Sequence, residues 1–145
     1  MSAPTGWEKE SVLTPSAAAD VDDSEPDEEK PSLYYDSLPE FMREFFAPMF
    51  PRDVTNTPGL TWCPKWWLHP EAAYRLDSLW RSWEHLRLDA ALGSSSWIRE
   101  HLDHHLPLLL SDSGPFKGCS ITKGHADGRD YTFPLDEPPE GLYAE

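Results

Sequence analysis

The sequence predicts a mainly α fold: a small helical domain of three to four helices, with a disordered acidic N-terminus and an irregular, proline-rich C-terminal segment. Two observations predict it. Apolar residues from Ala72 to Leu86 recur at steps of three and four, the period of one helical face. Five of the seven tryptophans lie between Trp62 and Trp83, and indole rings clustered this tightly mark either a core or a recognition surface.

Charge is concentrated at the two ends of the chain. Residues 1–31 hold nine acidic and two basic side chains and residues 126–145 hold six and one, within a total net charge of −14. The first segment has too little apolar content to form a core, so we expect a disordered acidic leader. Its functional alternative is an acidic tail that mimics nucleic acid or docks on a basic partner. Residues 32–145 then form a single small helical domain, whose irregular tail begins at about residue 116.

The composition argues against two classes of function. A nucleic-acid partner requires clustered lysine and arginine, and no such cluster is present, so we expect no direct nucleic-acid binding. The longest apolar run, residues 106–110, is far too short for a membrane span, and the N-terminus lacks a basic region followed by an apolar one. We therefore expect a cytoplasmic protein, in which two cysteines are reduced thiols or metal ligands rather than a disulfide.

The first predicted element is a short helix over residues 38–46. Ser37 is the expected N-cap and Glu40, three residues later, completes a capping box, while Pro39 is tolerated in a first turn. We expect Pro48 and Pro51 to end this helix and a loop to follow as far as Leu60.

The main predicted helix runs from residue 70 to residue 91. Pro70 suits its first position, His69 its N-cap and Gly93 its C-terminal end. The i,i+4 spacing predicts two exposed ion pairs, Glu71 with Arg75 and Asp77 with Arg81, while Trp80 and Trp83 occupy the core face.

A third helical region follows Gly93. Ser94 to Ser96 are expected N-caps for a helix carrying Trp97, and Pro107 predicts a break, because a proline within a helix removes a hydrogen bond. With Asp103 as a new N-cap, residues 106–110 form a second short helix. From Phe116 onward we expect irregular chain, anchored by apolar residues at positions 133–135 and 142–143.

The order of these segments carries a resemblance. The runs WCPKWWLHPEAAYRLDSLWRSWEHLRLD, SSSWIREHLDHHLPLLL and SGPFKGC, then His125 and PPEGLY, resemble a family of small actinobacterial proteins known as domain of unknown function 4913. The resemblance covers roughly residues 60–145. It implies an accessory role in the biology of conjugative and integrative mobile elements, and it implies no activity, cofactor or catalytic residue.

Cysteine and histidine form a repeated spacing. Cys63 precedes His69, and Cys119 precedes His125, with five residues between the members of each pair. Two thiolates with two imidazoles would give a tetrahedral zinc site. Standard structural zinc sites use closer pairs, so the alternative stays open that these are two buried thiols with capping or surface histidines.

No motif indicates a reaction. The chain has no nucleotide-binding loop, nucleophile elbow or standard metal motif, and His101, His104 and His105 lack the glutamate and third ligand of a zincin site. We therefore predict no catalytic residue and favour a non-enzymatic protein.

Two classes of function remain from the sequence. The first is a protein-interaction module that docks on a component of a transfer apparatus. The second is a small ligand-binding protein or enzyme with a tryptophan-lined pocket, stabilised by zinc in one version. The candidate partner or ligand surface is the same for both: Trp62, Trp66, Trp67, Arg75 and Arg81.

Overall fold

The computed structural model describes residues 32–126 and 132–143, so the predicted leader over residues 1–31 lies outside the described residues. The chain divides into two units, Met1–Leu33 and Tyr34–Glu145. All the helices of the described residues lie in the second unit, where they number three and no strand accompanies them. The predicted mainly α fold is confirmed, and the domain boundary at residue 32 stays a prediction.

The three helices are α1 (residues 38–49), α2 (Pro70–Leu86) and α3 (residues 93–110), with a 3₁₀ turn at Trp66–Leu68 directly before α2. Helix α1 begins as predicted, since the Ser37 hydroxyl accepts the backbone N–H of Glu40 at 3.3 Å. The Glu40 carboxylate reaches back to the N–H of Asp36 at 2.9 Å, so the reciprocal bond falls one residue before the cap. No helix of the described residues has the length and apolar content to cross a membrane.

Two prolines lie inside helices, contrary to prediction. Helix α1 continues through Pro48 to Met49, and α3 continues through Pro107 without a break at Asp103. In each helix a π-helical turn precedes the proline, Met42–Phe46 in α1 and Ile98–Leu102 in α3. A π turn is wider than an α turn and adjusts the helix ahead of the proline ring. Both prolines are exposed, so the carbonyl that each leaves without an N–H partner lies on the solvent side.

Helix α2 ends at Leu86, five residues before the predicted end. The reason is Asp89, whose carboxylate accepts the backbone N–H groups of Ala91 and Leu92 at 3.0 and 3.2 Å and so forms a turn of its own. Gly93 is the first residue of α3 rather than the end of α2. The predicted serine N-caps are also wrong, because Leu92 precedes α3 and makes no side-chain capping bond.

The core lies where α2 packs against α1 and α3. Its fully buried side chains include Phe41 of α1, Leu76 and Leu79 of α2, and Leu109 of α3. Trp97 is 2% exposed, and its indole N–H donates to the carbonyl of Leu79 at 3.0 Å and to the hydroxyl of Ser82 at 3.1 Å. This bond fixes the register between α2 and α3.

The two described parts of the chain after α3 differ in their burial. Phe116 and Cys119 are buried in the core, and the hydroxyl of Thr61 donates to the carbonyl of Cys119 at 2.9 Å, so this part of the chain packs against the segment before α2. Residues 132–143 are all exposed, with Phe133 at 91% and Tyr143 at 80%. The predicted apolar anchors at positions 133–135 and 142–143 therefore contact little of their own chain, although the predicted irregular conformation is observed.

Candidate metal centre and tryptophan groove

The first two candidate ligands flank the 3₁₀ turn that leads into α2. The backbone of His69 caps this helix, since its carbonyl accepts the N–H of Ala73 at 2.9 Å. Its imidazole makes no capping bond and is directed to the cluster instead. Cys63 precedes the turn and is fully buried. The local fold thus provides two candidate ligands at the N-terminal end of α2.

The second two candidate ligands flank a tight turn after α3. The backbones of Ser120 and Gly124 exchange two hydrogen bonds of 3.1 and 2.8 Å, and Gly124 has a φ of 79°, a left-handed conformation that favours glycine. This turn brings His125 back beside Cys119, although five residues separate them in the sequence. The spacing that looked too wide for a metal pair is closed by the turn.

The structure brings all four candidate ligands together. Their ligand atoms lie within 4.8 Å of one another, and the group can hold a metal ion. The Nδ1 atom of His125 lies 3.1 Å from Nε2 of His69, 3.4 Å from Sγ of Cys63 and 3.8 Å from Sγ of Cys119. Sγ of Cys119 lies 3.6 Å from Nε2 of His69.

Backbone groups around the cluster orient the ligands. The N–H of Ala126 donates to Sγ of Cys119 at 3.3 Å, and the backbone of Lys65 hydrogen-bonds the thiol of Cys63. His69 also hydrogen-bonds the backbone of Pro115, where only the carbonyl can take part because proline has no N–H. Such outer contacts fix the rotamers and tautomers of metal ligands.

Burial in the cluster favours the uncharged forms of Cys63 and His69. Burial raises the pKa of the Cys63 thiol, and the neighbouring thiol of Cys119 raises it further, against the opposing hydrogen bond from Lys65. Burial lowers the pKa of His69, and the charge of His125 lowers it further. A divalent cation would reverse this preference for the thiols, because it stabilises thiolates directly.

The three tryptophans predicted as a surface line one open groove. It has a volume of about 470 Å³, and its walls combine the segment 62–67 with the outer face of α1. The rings of Trp66 and Trp67 stand nearly perpendicular, at 87°, with centroids 5.7 Å apart, and Trp67 is 57% exposed. The groove is lined by Pro39, Met42, Arg43, Ala47, Trp62, Pro64, Trp66 and Trp67.

The two arginines predicted with these tryptophans lie elsewhere. Arg75 pairs with Glu71 at 2.8 Å and contacts His105 at 3.1 Å, and Arg81 pairs with Asp77 at 2.7 Å. Both i,i+4 ion pairs were predicted and are confirmed, but neither arginine lines the groove.

The basic residue of the groove is Arg43, which sequence reasoning missed. The spacing of Pro39, Met42 and Arg43 predicts that they share one face of α1, but local spacing does not show that this face meets the tryptophans.

A second, smaller cavity lies on the other side of Trp62. Its volume is about 170 Å³, and Arg52 is the charged residue among its lining side chains. The remaining lining residues are Phe46, Ala47, Phe50, Pro51, Val54, Trp62, Leu106, Leu110 and Ile121. Polar groups do not converge on this cavity, as they do in sites that orient a small-molecule substrate.

The family described as Domain of unknown function (DUF4913) matches residues 35–139. The chain belongs to this family. The matched region starts before α1, and it contains all four candidate metal ligands and the whole groove. No curated protein and no solved structure matches the chain.

Proposed function

We propose that this protein is a zinc-stabilised interaction module, in which a site of two cysteines and two histidines holds the loop that forms the tryptophan groove. One observation carries the proposal. The ligands Cys63 and His69 stand at the two ends of a segment whose intervening residues Pro64, Trp66 and Trp67 form one wall of the groove. Metal binding and partner binding therefore share one segment, residues 63–69.

Zinc is supported by the donor set and by the distances. With bonds of about 2.3 Å to sulfur and about 2.0 Å to nitrogen, a tetrahedral zinc site has ligand separations of roughly 3.3 Å between two nitrogens and roughly 3.6 Å between sulfur and nitrogen. The observed separations are 3.1 Å between the imidazoles and 3.4, 3.6 and 3.8 Å for three of the four pairs of thiol and imidazole, and all four ligand atoms lie within 4.8 Å of one another. Shifts of about 1 Å or less bring these atoms to the separations of a tetrahedral site.

The proposed role of the zinc is structural. Four protein ligands complete a tetrahedron and leave no position for a substrate or an activated water, whereas catalytic zinc keeps such a position open. Both thiols are buried, and each is hydrogen-bonded by backbone, as in a site that holds two segments together. We accordingly propose a non-enzymatic protein.

The shape of the groove supports a macromolecular partner. It is open, largely apolar and aromatic, and Arg43 is its charged lining residue. Aromatic side chains and arginine are the residues enriched at the centres of protein interfaces. In line with the family resemblance, the proposed partner is a protein of the transfer apparatus of a conjugative or integrative element of an actinobacterial host, met in the cytoplasm.

Metal analysis of the purified protein tests the zinc site. We expect one zinc per chain in wild type, and less than half of that in Cys63→Ser and in Cys119→Ser, because loss of one thiolate opens the coordination sphere. His104→Gln is the matched control, since His104 is exposed and outside the cluster. A wild-type protein prepared with zinc present throughout that retains well under one ion per chain would overturn the zinc proposal.

Peptide selection tests the groove. A display library panned on the full chain should enrich extended peptides that contain proline and aromatic residues, and Trp67→Ala should abolish their binding. Tyr74→Ala is the control, because Tyr74 is 79% exposed on α2 and does not line the groove. Selected peptides that bind Trp67→Ala as well as wild type would show that the groove is not the docking surface.

A further inference from the structure

Two uncovered surfaces of this chain have complementary chemistry. The first is the tryptophan groove. The second is the segment of residues 132–143, here named the C-terminal strip, in which every residue is exposed. Its apolar side chains are highly exposed to solvent: the exposed fraction is 91% for Phe133, 87% for Leu135 and 60% for Leu142. Large apolar side chains left open in this density mark an interaction site.

The composition of the strip favours an extended ligand. Pro134, Pro138 and Pro139 restrict their own backbone and that of the preceding residues to polyproline and extended conformations, so little entropy is lost when the strip docks. Its charged residues are all acidic: Asp136, Glu137 and Glu140. Residues 132–138 therefore form a conformationally restricted, acidic peptide with exposed apolar residues. A turn follows, in which the N–H of Leu142 donates to the carbonyl of Pro139 at 3.2 Å.

The groove has the features that such a peptide requires. Proline-rich segments dock in grooves that are lined by aromatic rings, and Trp62, Trp66 and Trp67 line this groove. Arg43 lines the groove, and exposed Lys65 lies between two of its lining residues. The ion pair of Arg43 with Glu44 is 3.5 Å long and solvent-exposed, so the guanidinium can turn to an incoming carboxylate at small cost.

We propose that the C-terminal strip of one copy docks in the tryptophan groove of a second copy. The proposal rests on the groove being a docking surface, as in the proposed function, and names its occupant. Within one chain the strip is exposed along its whole length, and Trp67 is uncovered. Each copy carries one strip and one groove, so a reciprocal exchange closes a two-fold dimer and leaves neither surface open.

Sedimentation velocity over a range of protein concentrations tests the exchange. Wild-type full-length protein should pass from monomer to dimer as its concentration rises from 5 to about 500 µM, the range of weak associations. Trp67→Ala, which damages the groove, and the double variant Phe133→Ala with Leu135→Ala, which damages the strip, should each weaken dimerisation at least about tenfold. All three side chains are more than half exposed, so these variants keep the fold, and Tyr74→Ala serves as the matched control.

Mixing the variants distinguishes the exchange of strips from nonspecific association. The Trp67→Ala protein retains an intact strip and the double variant retains an intact groove, so an equimolar mixture should form a heterodimer that neither variant forms alone. A wild type that stays monomeric at about 500 µM, or a mixture without heterodimer, would overturn the proposal.

The remaining outcomes distinguish other occupants. A wild type that is monomeric, but whose tryptophan emission shifts in the strip variant, would place the strip on its own chain and also overturn the exchange. If the peptide selection gives groove-dependent ligands while the wild type stays monomeric, the interaction module stands and only the second-copy occupant fails. If neither experiment implicates Trp67, both proposals fail.

Discussion

Single residues explain how a charge is held inside this small fold. Glu84 is 7% exposed, and its carboxylate accepts the backbone N–H groups of Tyr34 and Tyr35 at 2.8 and 2.9 Å and the Nε of Arg87 at 2.9 Å. Burial alone would raise the pKa of Glu84, but these hydrogen bonds and the arginine charge outweigh it, and the pKa is lowered. The carboxylate thereby connects the chain before α1 to the last turn of α2.

Glu84→Gln should destabilise the protein by about 1–3 kcal/mol at pH 7, because the charged acceptor is lost. The sign of the pH dependence follows from the lowered pKa: the ionised carboxylate stabilises the fold above its ordinary pKa of 4.5, and this contribution is lost as the pH falls. Urea unfolding at pH 7, 5 and 3.5 should show that the free energy of unfolding falls more steeply with decreasing pH for wild type than for the variant. Glu71→Gln is the control, because Glu71 belongs to an exposed ion pair with Arg75. If the unfolding free energies of wild type and Glu84→Gln fall equally with pH, the stabilising role of the ionised Glu84 is contradicted.

At the scale of elements, the junction of α2 and α3 depends on a close approach of backbones. A Cβ atom on Gly93 would lie 1.9 Å from the carbonyl oxygen of Leu86, the last residue of α2. Glycine is therefore required at position 93 because the two backbones lie too close for a side chain, and not because of a left-handed conformation. The junction sets the angle at which Trp97 enters the core.

Gly93→Ala should cost about 1–3 kcal/mol or more, because the methyl group cannot be placed without moving one of the two helices. Ser94→Ala, at the exposed next position, should change stability by no more than about 0.5 kcal/mol. Thermal or urea unfolding of the two variants measures the difference. Equal stabilities would mean that the junction adjusts freely.

The packed face of α2 gives a second test at this scale. Trp80 is 9% exposed, and the ring of Trp83 lies 5.0 Å from that of Phe45 and 5.1 Å from that of Tyr35. Trp80→Ala and Trp83→Ala should each cost about 3–5 kcal/mol in free energy of unfolding, as truncations of packed aromatic residues do. Losses below about 1 kcal/mol would show that these rings contribute little to the core.

The elements also show which parts of the fold sequence patterns can predict. The start of α2, its packed face and its two ion pairs follow from local spacing, and all three are observed. The end of α2 was predicted wrongly because a glycine after apolar residues can either end a helix or allow two helices to approach closely. The sequence pattern is the same in both cases. Helix α3 passes through Pro107 after a π turn at Ile98–Leu102, and neither feature leaves a periodic signature in the sequence.

For the candidate site, local spacing predicted the four ligands as two pairs but could not show that the pairs meet. Their meeting depends on the return of the chain after α3, a long-range feature. His69 and His125 are separated by 56 positions and are in contact at 3.1 Å. The groove was predicted by its tryptophans, while its basic residue comes from α1 and was missed for the same reason.

On the scale of the whole molecule, the cluster joins the segment before α2 to the segment after α3. The helices have their own contacts through Leu76, Leu79, Trp97 and Leu109, whereas residues 116–126 are held by Phe116, Cys119 and a few hydrogen bonds. Loss of the proposed metal should therefore loosen the two joined segments before it unfolds the helices.

Hydrogen exchange with mass spectrometry on the zinc-loaded and chelator-treated protein measures this effect. Residues 60–69 and 116–126 should lose protection on chelation, while the middle of α2 and the Leu102–Leu110 part of α3 stay protected. The Cys119→Ser variant should resemble the chelated wild type and respond little to chelator itself. Uniform loss of protection throughout the chain would show instead that the whole fold requires the metal.

The wide separation of the two ligand pairs also orders events during biosynthesis. Cys63 and His69 leave the ribosome well before Cys119 and His125, with α2 and α3 between them. At typical translation rates of about 5–20 residues per second, the 56 positions from His69 to His125 take about 3–11 seconds to synthesise. Completion of the cluster therefore follows synthesis of all three helices, and a ribosome stalled before Cys119 would carry the thiol of Cys63 and the imidazole of His69 without their two partners.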